Sequence, residues 1–331
     1  MNKRNWLVLL LVGAFAIASF NSCKKEDETS TETGPTEWTR TTAFEGENRN
    51  GAASFTINNT AYVVGGYIKT NASLNDNYSF NGSSWVKKAD FTGSKRHNAV
   101  GFSVDGKGYV GLGYGTKDDG TQGELNDFYS YDPTANTWSK IKEFPGDARF
   151  GATAFTLNGK AYVGLGTTST DKSFSDFYEY DPQSNIWKQL TNTKFPFKKA
   201  YAYAFVIDNI AYVGGGLNNG QPADDLFSFN GTDWTALENT KTDEYDARRY
   251  NSSTFVIGKF GYLVSGRSSS GIVSTVWKFD PATKTWTDKH EAFGSVREKA
   301  VAFGLNGKGY ITTGTNGSTF FDDTWEFTPV R

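Results

Sequence analysis

Apolar residues alternate with small or polar residues along the chain in short runs, and glycine-containing turns separate the runs. In one such unit the run 98–104 alternates, Asp105-Gly106 follows as a turn, and a second run covers 107–113. A third run at 127–131 and a fourth around Trp138 complete the unit. A period of two residues is typical of β-strands, and an Asp-Gly turn between two runs indicates a hairpin. The pattern predicts four antiparallel strands per unit, and no stretch after residue 23 has a helical period.

This unit occurs six times along the chain. Each copy contains a tyrosine in an apolar run that ends in glycine, and these tyrosines are Tyr62, Tyr109, Tyr162, Tyr212, Tyr262 and Tyr310. The intervals between them range from 47 to 53 residues. Five copies also contain a tryptophan near their end, and these are Trp85, Trp138, Trp187, Trp234 and Trp286. A period of ~50 residues predicts a propeller in which each repeat is one four-stranded blade.

The sixth copy lacks the tryptophan of the fourth strand, because the chain ends soon after its third strand, at 324–327. Trp38, ahead of the first copy, supplies the missing residue, so we expect the N-terminal strand to complete the last blade. A basic residue 13 positions before each tyrosine, the glycines after it, and the motif Asp-Pro-x-x-x-x-Trp resemble the kelch repeat over residues 36–331. The resemblance implies an all-β, six-bladed kelch β-propeller whose last blade is closed by the strand around Trp38.

The repeated charged residues are predicted to be structural. The basic positions are Arg49, Arg96, Arg149, Lys199, Arg249 and Arg297. Aspartates open the third strand in five repeats, and they are Asp76, Asp127, Asp176, Asp225 and Asp323. A charge that occurs in every blade is expected to be buried and paired. An anion site formed by the six bases is the alternative.

Composition narrows the function classes. Hydrophobic residues make up 37% of the 331 residues and charged residues 21%, which is ordinary for a globular protein and excludes a wholly disordered one. The formal net charge of −2 argues against nucleic acid as a partner, because phosphate binding needs clustered Lys and Arg. The single cysteine excludes an intramolecular disulfide and a cysteine-based zinc cluster.

The N-terminus reads as an export signal. Lys3-Arg4 precedes an apolar stretch at 6–18, which is too short for the ~20 residues of a membrane span. Cys23 follows at the expected cleavage position and resembles the lipidated cysteine of bacterial lipoproteins of the Bacteroidetes type. A plain secretory signal with a free cysteine is the alternative. We predict a signal peptide at 1–22, a lipidated Cys23 with a flexible tether at 23–35, and the propeller at 36–331.

The predicted location is the bacterial outer membrane. The charged cluster at 24–28 resembles the signal that sends such lipoproteins to the outer face, so exposure at the cell surface is the expected extension. The alternative is that these charges only solvate the tether. The protein would touch the membrane through its N-terminal lipid alone.

The kelch resemblance also implies a binding face, formed by the loops between strands two and three and between blades. Two positions per blade should face it. One is the residue that follows the glycines after the repeated tyrosine, and the other lies two positions after the repeated basic residue. Where the blades differ, these positions hold Tyr67, Tyr114, Arg267, Asn98, Tyr201, Asn251 and Lys299. The loop 243–250 adds Asp246 and Arg248 as candidates for specific recognition. Such a mixed aromatic and polar surface suits a sugar or an acidic peptide, or else forms a rim without a ligand.

A copper oxidase of the galactose oxidase type is excluded, because that site needs two histidines, two tyrosines and a cross-linked cysteine. Here the histidines are His97 and His290 alone, and Cys23 lies at the extreme N-terminus. No histidine pair has the spacing of a zinc site, so no metal or cofactor is expected.

The bacterial N-acetylneuraminate mutarotases are a second enzymatic relative. The chain resembles them in Tyr-Val-Gly-Leu-Gly and in blade number, but lacks their long insertion. Mutarotation requires only positioned acid–base groups, for which the candidates are His97, Glu244, Asp246, Arg248 and Arg267. We favour a binding module with a carbohydrate or a cell-surface protein as partner over a sugar mutarotase. A scaffold with a silent pocket is the third alternative.

Overall fold

The two-residue alternation of the sequence forms short antiparallel strands throughout the computed structural model, which describes residues 37–329. That range contains 32 β-strands and no helix. Within it, no helix is therefore long and apolar enough to cross a membrane. The described residues form one compact unit. The predicted signal peptide at 1–22, Cys23 and the tether to residue 35 lie outside the described residues.

The strands follow one another blade by blade. The first strand is β1 (Glu37–Arg40). Blade 1 contains β2 (Arg49–Asn50), β3 (Ala53–Ile57), β4 (Thr60–Ile68), β5 (Ser73–Phe80) and β6 (Trp85–Lys88). Blade 2 contains β7 (Arg96–His97), β8 (Val100–Val104), β9 (Lys107–Gly111), β10 (Tyr114–Thr116), β11 (Gln122–Glu124), β12 (Phe128–Asp132) and β13 (Thr137–Lys140). Blade 3 contains β14 (Thr153–Leu157), β15 (Lys160–Gly164), β16 (Phe177–Asp181) and β17 (Ile186–Gln189).

The second half repeats this order. Blade 4 contains β18 (Tyr203–Ile207), β19 (Ile210–Gly214), β20 (Leu217–Asn218), β21 (Gln221–Pro222), β22 (Leu226–Phe229) and β23 (Trp234–Ala236). Blade 5 contains β24 (Ser253–Ile257), β25 (Phe260–Val264), β26 (Arg267–Ser268), β27 (Gly271–Ile272), β28 (Val276–Asp280) and β29 (Thr285–Thr287). Blade 6 contains β30 (Val301–Leu305), β31 (Lys308–Thr312) and β32 (Thr324–Thr328).

Each blade is a four-stranded antiparallel meander. Five of the meanders are separate sheets, whereas the blade 1 meander, β3 to β6, belongs to an eight-stranded sheet. That sheet is larger because β4 and β5 are long and also pair with β2 and β7, and β7 pairs in turn with β10. The first long strands of neighbouring blades contact each other all the way around, so these strands lie innermost. The six-bladed propeller predicted from the repeats is confirmed.

The N-terminal strand closes the ring as predicted. Strand β1 pairs with β32, and Trp38 stands opposite Phe327. The Trp38 ring lies 4.9 Å from Phe327 and 4.5 Å from Phe293, centroid to centroid. The fourth strand of blade 6 therefore comes from the opposite end of the chain.

The strand boundaries of blade 2 differ slightly from the predicted ones. The first long strand begins at Val100 and not at Asn98, and the second ends at Gly111 and not at Gly113. Asn98 has φ 50°, and Leu112 and Gly113 have φ 57° and 95°. Positive φ values interrupt a β-strand, so both ends of this hairpin turn sharply before they reach the loops.

Aromatic rings fill the spaces between blades. In the first interface Phe55 stacks on Tyr62 at 5.0 Å, and both belong to blade 1. Tyr131 of blade 2 lies 5.4 Å from Tyr62, and Trp138 lies 6.3 Å from Phe55. Such pairs add about 0.5–1.5 kcal/mol each beyond the area they bury. The repeated tyrosine and tryptophan are thus core residues, as predicted.

The repeated bases are structural. All six are at most 1% exposed. Five of them form ion pairs with the predicted aspartates, and the pairs are Arg49–Asp76, Arg96–Asp127, Arg149–Asp176, Lys199–Asp225 and Arg297–Asp323. The guanidinium of Arg96 also donates to the Leu112 carbonyl at 3.0 Å, and the other three arginines of these pairs make the equivalent bond. Each of these four pairs therefore connects the loop before a blade to the turn after its second long strand. The sixth base, Arg249, has no aspartate and bonds Thr275.

Candidate functional site

Six residues with left-handed backbone surround the propeller axis at one end. They are Gly51, Asn98, Gly151, Tyr201, Asn251 and Lys299, each two positions after a base, with φ between 50° and 60°. Their backbones are linked from blade to blade: the N–H of Gly51 donates to the Lys299 carbonyl at 2.9 Å, and that of Asn98 to the Gly51 carbonyl at 2.7 Å. Equivalent bonds join three more neighbours. We call these six residues the channel ring.

The channel ring surrounds an opening of about 160 Å³. Four of the predicted ligand-binding residues, Asn98, Tyr201, Asn251 and Lys299, lie in this ring, and the two glycines give them room. A Cβ at Gly51 would stand 2.6 Å from the Asn98 side chain, and one at Gly151 would stand 2.6 Å from the Tyr201 ring. Because these two positions are glycines, the side chains of Asn98 and Tyr201 can occupy the space next to them in the channel ring.

The other predicted positions lie beside the ring. In each blade, the residue that follows the last glycine after the repeated tyrosine forms a β-bridge with another loop residue. This partner comes directly after the repeated base and directly before the channel-ring residue. Tyr67 stands opposite Asn50, Tyr114 opposite His97, and Arg267 opposite Tyr250. Of this intermediate register only His97 was predicted from the sequence, as an acid–base candidate, yet the register carries several of the polar and aromatic groups of the site.

Five aromatic side chains form a continuous arc across blades 1 to 4. Successive ring centroids from Tyr67 to His97, Tyr114, Phe150 and Tyr201 lie 4.7, 5.6, 5.7 and 6.3 Å apart. We call these five residues the aromatic arc. Three of them were predicted as ligand-binding residues, and His97 and Phe150 join them from the intermediate register.

Two surface cavities lie along the aromatic arc. The first, of about 600 Å³, is lined by Tyr67, His97 and Tyr114 together with polar side chains such as Gln122. The second, of about 770 Å³, is lined by Phe150 and Tyr201 together with polar residues, which include Asp171, Lys172 and Lys198. The arc thus presents ring faces and edges next to hydrogen-bonding groups in both cavities.

Blades 5 and 6 contribute a charged network to the same face. The guanidinium of Arg267 donates to Glu298 at 2.6 and 3.1 Å, and the amide of Asn251 donates to the other carboxylate oxygen at 3.0 Å. Burial alone would raise the pKa of Glu298, but the hydrogen bonds from Arg267 and Asn251 and the charges of Arg267 and Lys299 lower it. Glu298 is therefore ionised at neutral pH and holds Arg267 and Asn251 in place.

Lys299 supplies a positive charge beside this network. Its side chain lines the opening, and no hydrogen bond or ion pair of its ammonium group occurs within residues 37–329. Burial lowers the pKa of Lys299, with a further contribution from the charge of Arg267, whereas Glu298 raises it. An ammonium group in this position is available to a ligand.

His97 lies in the middle of the aromatic arc. Its Nδ1 is 2.9 Å from the Ser73 hydroxyl, and its ring packs between Tyr67 and Tyr114. Burial, followed by the charge of Lys299, lowers the pKa of His97 to about 4. The imidazole is therefore neutral at physiological pH and can both donate and accept a hydrogen bond.

Asp246 and Arg248 do not join the channel ring or the arc. Arg248 donates to both carboxylate oxygens of Asp246, at 2.9 and 2.7 Å, so each neutralises the other. Neither residue is among those that line the opening. No cluster of three or more potential metal-ligating side chains occurs in the described part of the chain.

The comparisons with known proteins agree with this architecture. The family model of the KLHDC2/KLHL20/DRC7 Kelch-repeats domain matches residues 20–216 and 151–331. Among solved structures, the "Structure of YjhT" is similar with a TM-score of 0.74 and 17% sequence identity, over 87% of this chain and 97% of the other. At this identity the similarity concerns the fold. No curated protein matches the chain at a significant level.

The molecule is a kelch-type β-propeller with an aromatic and charged site at one end of its axis. The chain belongs to the Kelch-repeats family. In general terms, this fold is a ligand-binding or protein-interaction module.

Proposed function

We propose that the protein is a carbohydrate-binding module whose ligand lies on the aromatic arc. The observation that carries the proposal is the placement of five consecutive rings and the Arg267–Glu298–Asn251 network on one face. Aromatic faces take the apolar C–H side of a sugar, and a few fixed polar groups orient its hydroxyls. The fold alone is equally compatible with a protein partner.

The size of the site favours a small ligand over a folded protein at the channel itself. The opening has about 160 Å³, and the cavities beside the arc have about 600 and 770 Å³. Pockets of ~300–1,000 Å³ are typical of small-molecule sites. One or two sugar rings would fit beside the arc, with the charged network at the far side of the opening.

The test is saturation-transfer NMR of the full chain in detergent with a panel of reducing sugars that includes N-acetylneuraminic acid. We expect saturation transfer to at least one sugar and its loss in Tyr114→Ala. Phe197→Ala is the matched control, because Phe197 is an exposed aromatic residue, 40% accessible, that does not belong to the arc. If no sugar receives saturation, the carbohydrate proposal fails and a cell-surface protein becomes the partner to search for. Equal losses in the two variants would also count against the arc.

A sugar mutarotase is the second candidate, and His97 is the observation that favours it. A neutral imidazole that lies next to the Ser73 hydroxyl and faces a sugar-sized cavity can move a proton between ring and anomeric oxygens. The same NMR samples test this by measuring anomer exchange rates. We expect a mutarotase to accelerate exchange and His97→Gln to abolish the acceleration while ligand binding persists. If the protein binds a sugar but does not accelerate anomer exchange, the mutarotase candidate fails and the carbohydrate-binding module remains the proposed function.

We further propose that the protein is anchored to the bacterial outer membrane by a lipid on Cys23. This residue lies outside the described residues, and the support comes from the sequence around it. The protein should fractionate with the outer membrane, and Cys23→Ala should release it. Cys23→Ala that partitions like the unaltered protein would remove the lipoprotein assignment. Protease treatment of intact cells then distinguishes the outer from the periplasmic face.

A further inference from the structure

Blade 5 differs from the other blades at its buried base. Arg249 is 1% exposed, but the residue 26 positions later is Thr275 and not aspartate. At the same spacing in blade 6, Asp323 accepts hydrogen bonds from Arg297 at 2.7 and 3.1 Å. Among residues 37–329, no carboxylate forms an ion pair with Arg249. A buried charge without a counter-charge is strongly unfavourable, so this position calls for an explanation.

The hydrogen bonds that Arg249 does make are to neutral groups. Its guanidinium donates to the carbonyl oxygens of Ser265 and Thr275 at 3.0 and 3.1 Å and to the Thr275 hydroxyl at 2.8 Å. Asp246, which comes three residues earlier, is bound by Arg248 through two hydrogen bonds. The positive charge of Arg249 therefore has no ion-pair partner among the described residues, and Asp246 acts on it only as a nearby charge that Arg248 already binds.

Two buried N–H groups at this place have no acceptor. The Nε of Arg249 and the Nε1 of Trp277 are both fully buried and have no hydrogen-bond partner within the described range. In blade 6 the equivalent groups are satisfied: Nε of Arg297 donates to the Ser295 carbonyl at 3.0 Å, and Nε1 of Trp325 donates to Asp323 at 2.8 Å. The missing carboxylate therefore leaves one indole donor and one positive charge without a partner.

A third orphaned group lies in the same core cluster. The Tyr203 hydroxyl is fully buried without a partner in the described structure, and its ring packs in one cluster with Trp277. Burial comes first among the causes that raise the pKa of Tyr203, so this hydroxyl stays protonated and can donate. The guanidinium and indole groups can only donate hydrogen bonds. The groups without a partner here are thus donors next to a positive charge. The nearby carboxylates of Asp225 and Asp246, which act on Tyr203 and Arg249, are already paired with Lys199 and Arg248.

We propose that a small monovalent anion, chloride under ordinary conditions, binds between Arg249 and Trp277 in the place that the aspartate carboxylate occupies in blade 6. An anion satisfies both the donors and the charge, whereas a water molecule would satisfy only the donors. Because Arg249 is almost completely buried, the site accepts an ion of halide size and not the carboxylate of a larger ligand. The site lies in the core of blade 5 and is independent of the function proposed for the channel opening.

The first test compares thermal unfolding of the full chain in sodium chloride and in sodium gluconate at equal ionic strength. An anion that binds only the folded state raises Tm, so we expect a Tm several degrees higher in chloride. Thr275→Asp should raise Tm in gluconate and remove the difference between the salts, since its carboxylate replaces the ion. Thr275→Ser keeps the hydroxyl and the empty acceptor position, and it should respond to chloride as the unaltered protein does.

The second test locates the ion directly. Crystals grown in sodium bromide should show an anomalous peak within hydrogen-bond distance of the Arg249 guanidinium and Trp277 Nε1, and Thr275→Asp should lack it. Equal Tm values in chloride and gluconate, a chloride effect that persists in Thr275→Asp, or crystals without a bromide peak would each overturn the proposal. In the last case water would be the occupant of the site.

Discussion

The surroundings of His97 set its protonation state. The ring lies between Tyr67 and Tyr114, with Nδ1 next to the Ser73 hydroxyl, and the charge of Lys299 acts on it. The sequence showed that His97 directly follows the repeated base Arg96, but it did not show which groups surround the imidazole. Phe150 and Glu298 were not predicted from the sequence, because the residue type at their register differs from blade to blade. That difference between blades was the one sequence signal that could have indicated a functional position.

His97 should titrate near pH 4 and not near 6.5, because burial and then Lys299 lower its pKa to about 4. NMR of the ring protons measures this directly, and His97→Gln assigns the signals, because the chain has two histidines. In the unfolded state His97 is protonated near pH 6.5, whereas in the folded state it is protonated only near pH 4. Stability should therefore fall as the pH drops through that window, and His97→Gln should flatten this part of the profile. A midpoint near 6.5 would contradict the placement of His97.

At the scale of the element, close contact between inner strands demands small residues. A Cβ at Gly101 in β8 would lie 2.3 Å from the carbonyl oxygen of Ser54 in β3, and backbone cannot move away as a flexible side chain can. The alternation predicted these strands correctly. It did not predict which glycines pack against a neighbouring blade, because that depends on how the blades approach each other around the axis.

Gly101→Ala should therefore destabilise the propeller by roughly 1–3 kcal/mol, the usual effect of an added methyl group in a packed core. Gly294→Ala is the matched control, because nothing lies within 4 Å of its Cβ position. Its free energy of unfolding should stay within about 0.5 kcal/mol of the unaltered protein. Urea unfolding of both variants measures the difference. Similar stabilities would show that β3 and β8 can move apart without cost.

At the scale of the whole molecule, the ring depends on contact between the two ends of the propeller. Strand β1 pairs with β32 over four residues, and Trp38 covers Phe327 and Phe293. Without β1, the edge of β32 and the aromatic core of blade 6 would face solvent. Exposed strand edges also invite pairing with other chains.

Deletion of residues 36–43 should lower Tm strongly, because it removes the closing strand and the Trp38 contacts. Deletion of residues 24–35 is the control, since the sequence there has the composition of a tether, and Tm should stay unchanged. Thermal unfolding of the two truncated chains beside the intact one is the measurement. Equal Tm values for the two truncations would show that the ring does not need β1.

The sequence by itself determined the blades, their number, the closure by Trp38 and the structural role of the repeated bases. These features recur every ~50 residues, and a repeated pattern reports a repeated local environment. Only the tertiary structure decided which side chains meet at the channel opening, because they come from different blades and from registers without a shared residue type. The tertiary structure also showed that Arg249 is buried without an ion-pair partner among the described residues, whereas the sequence showed only that one of the six repeats has no aspartate at this position.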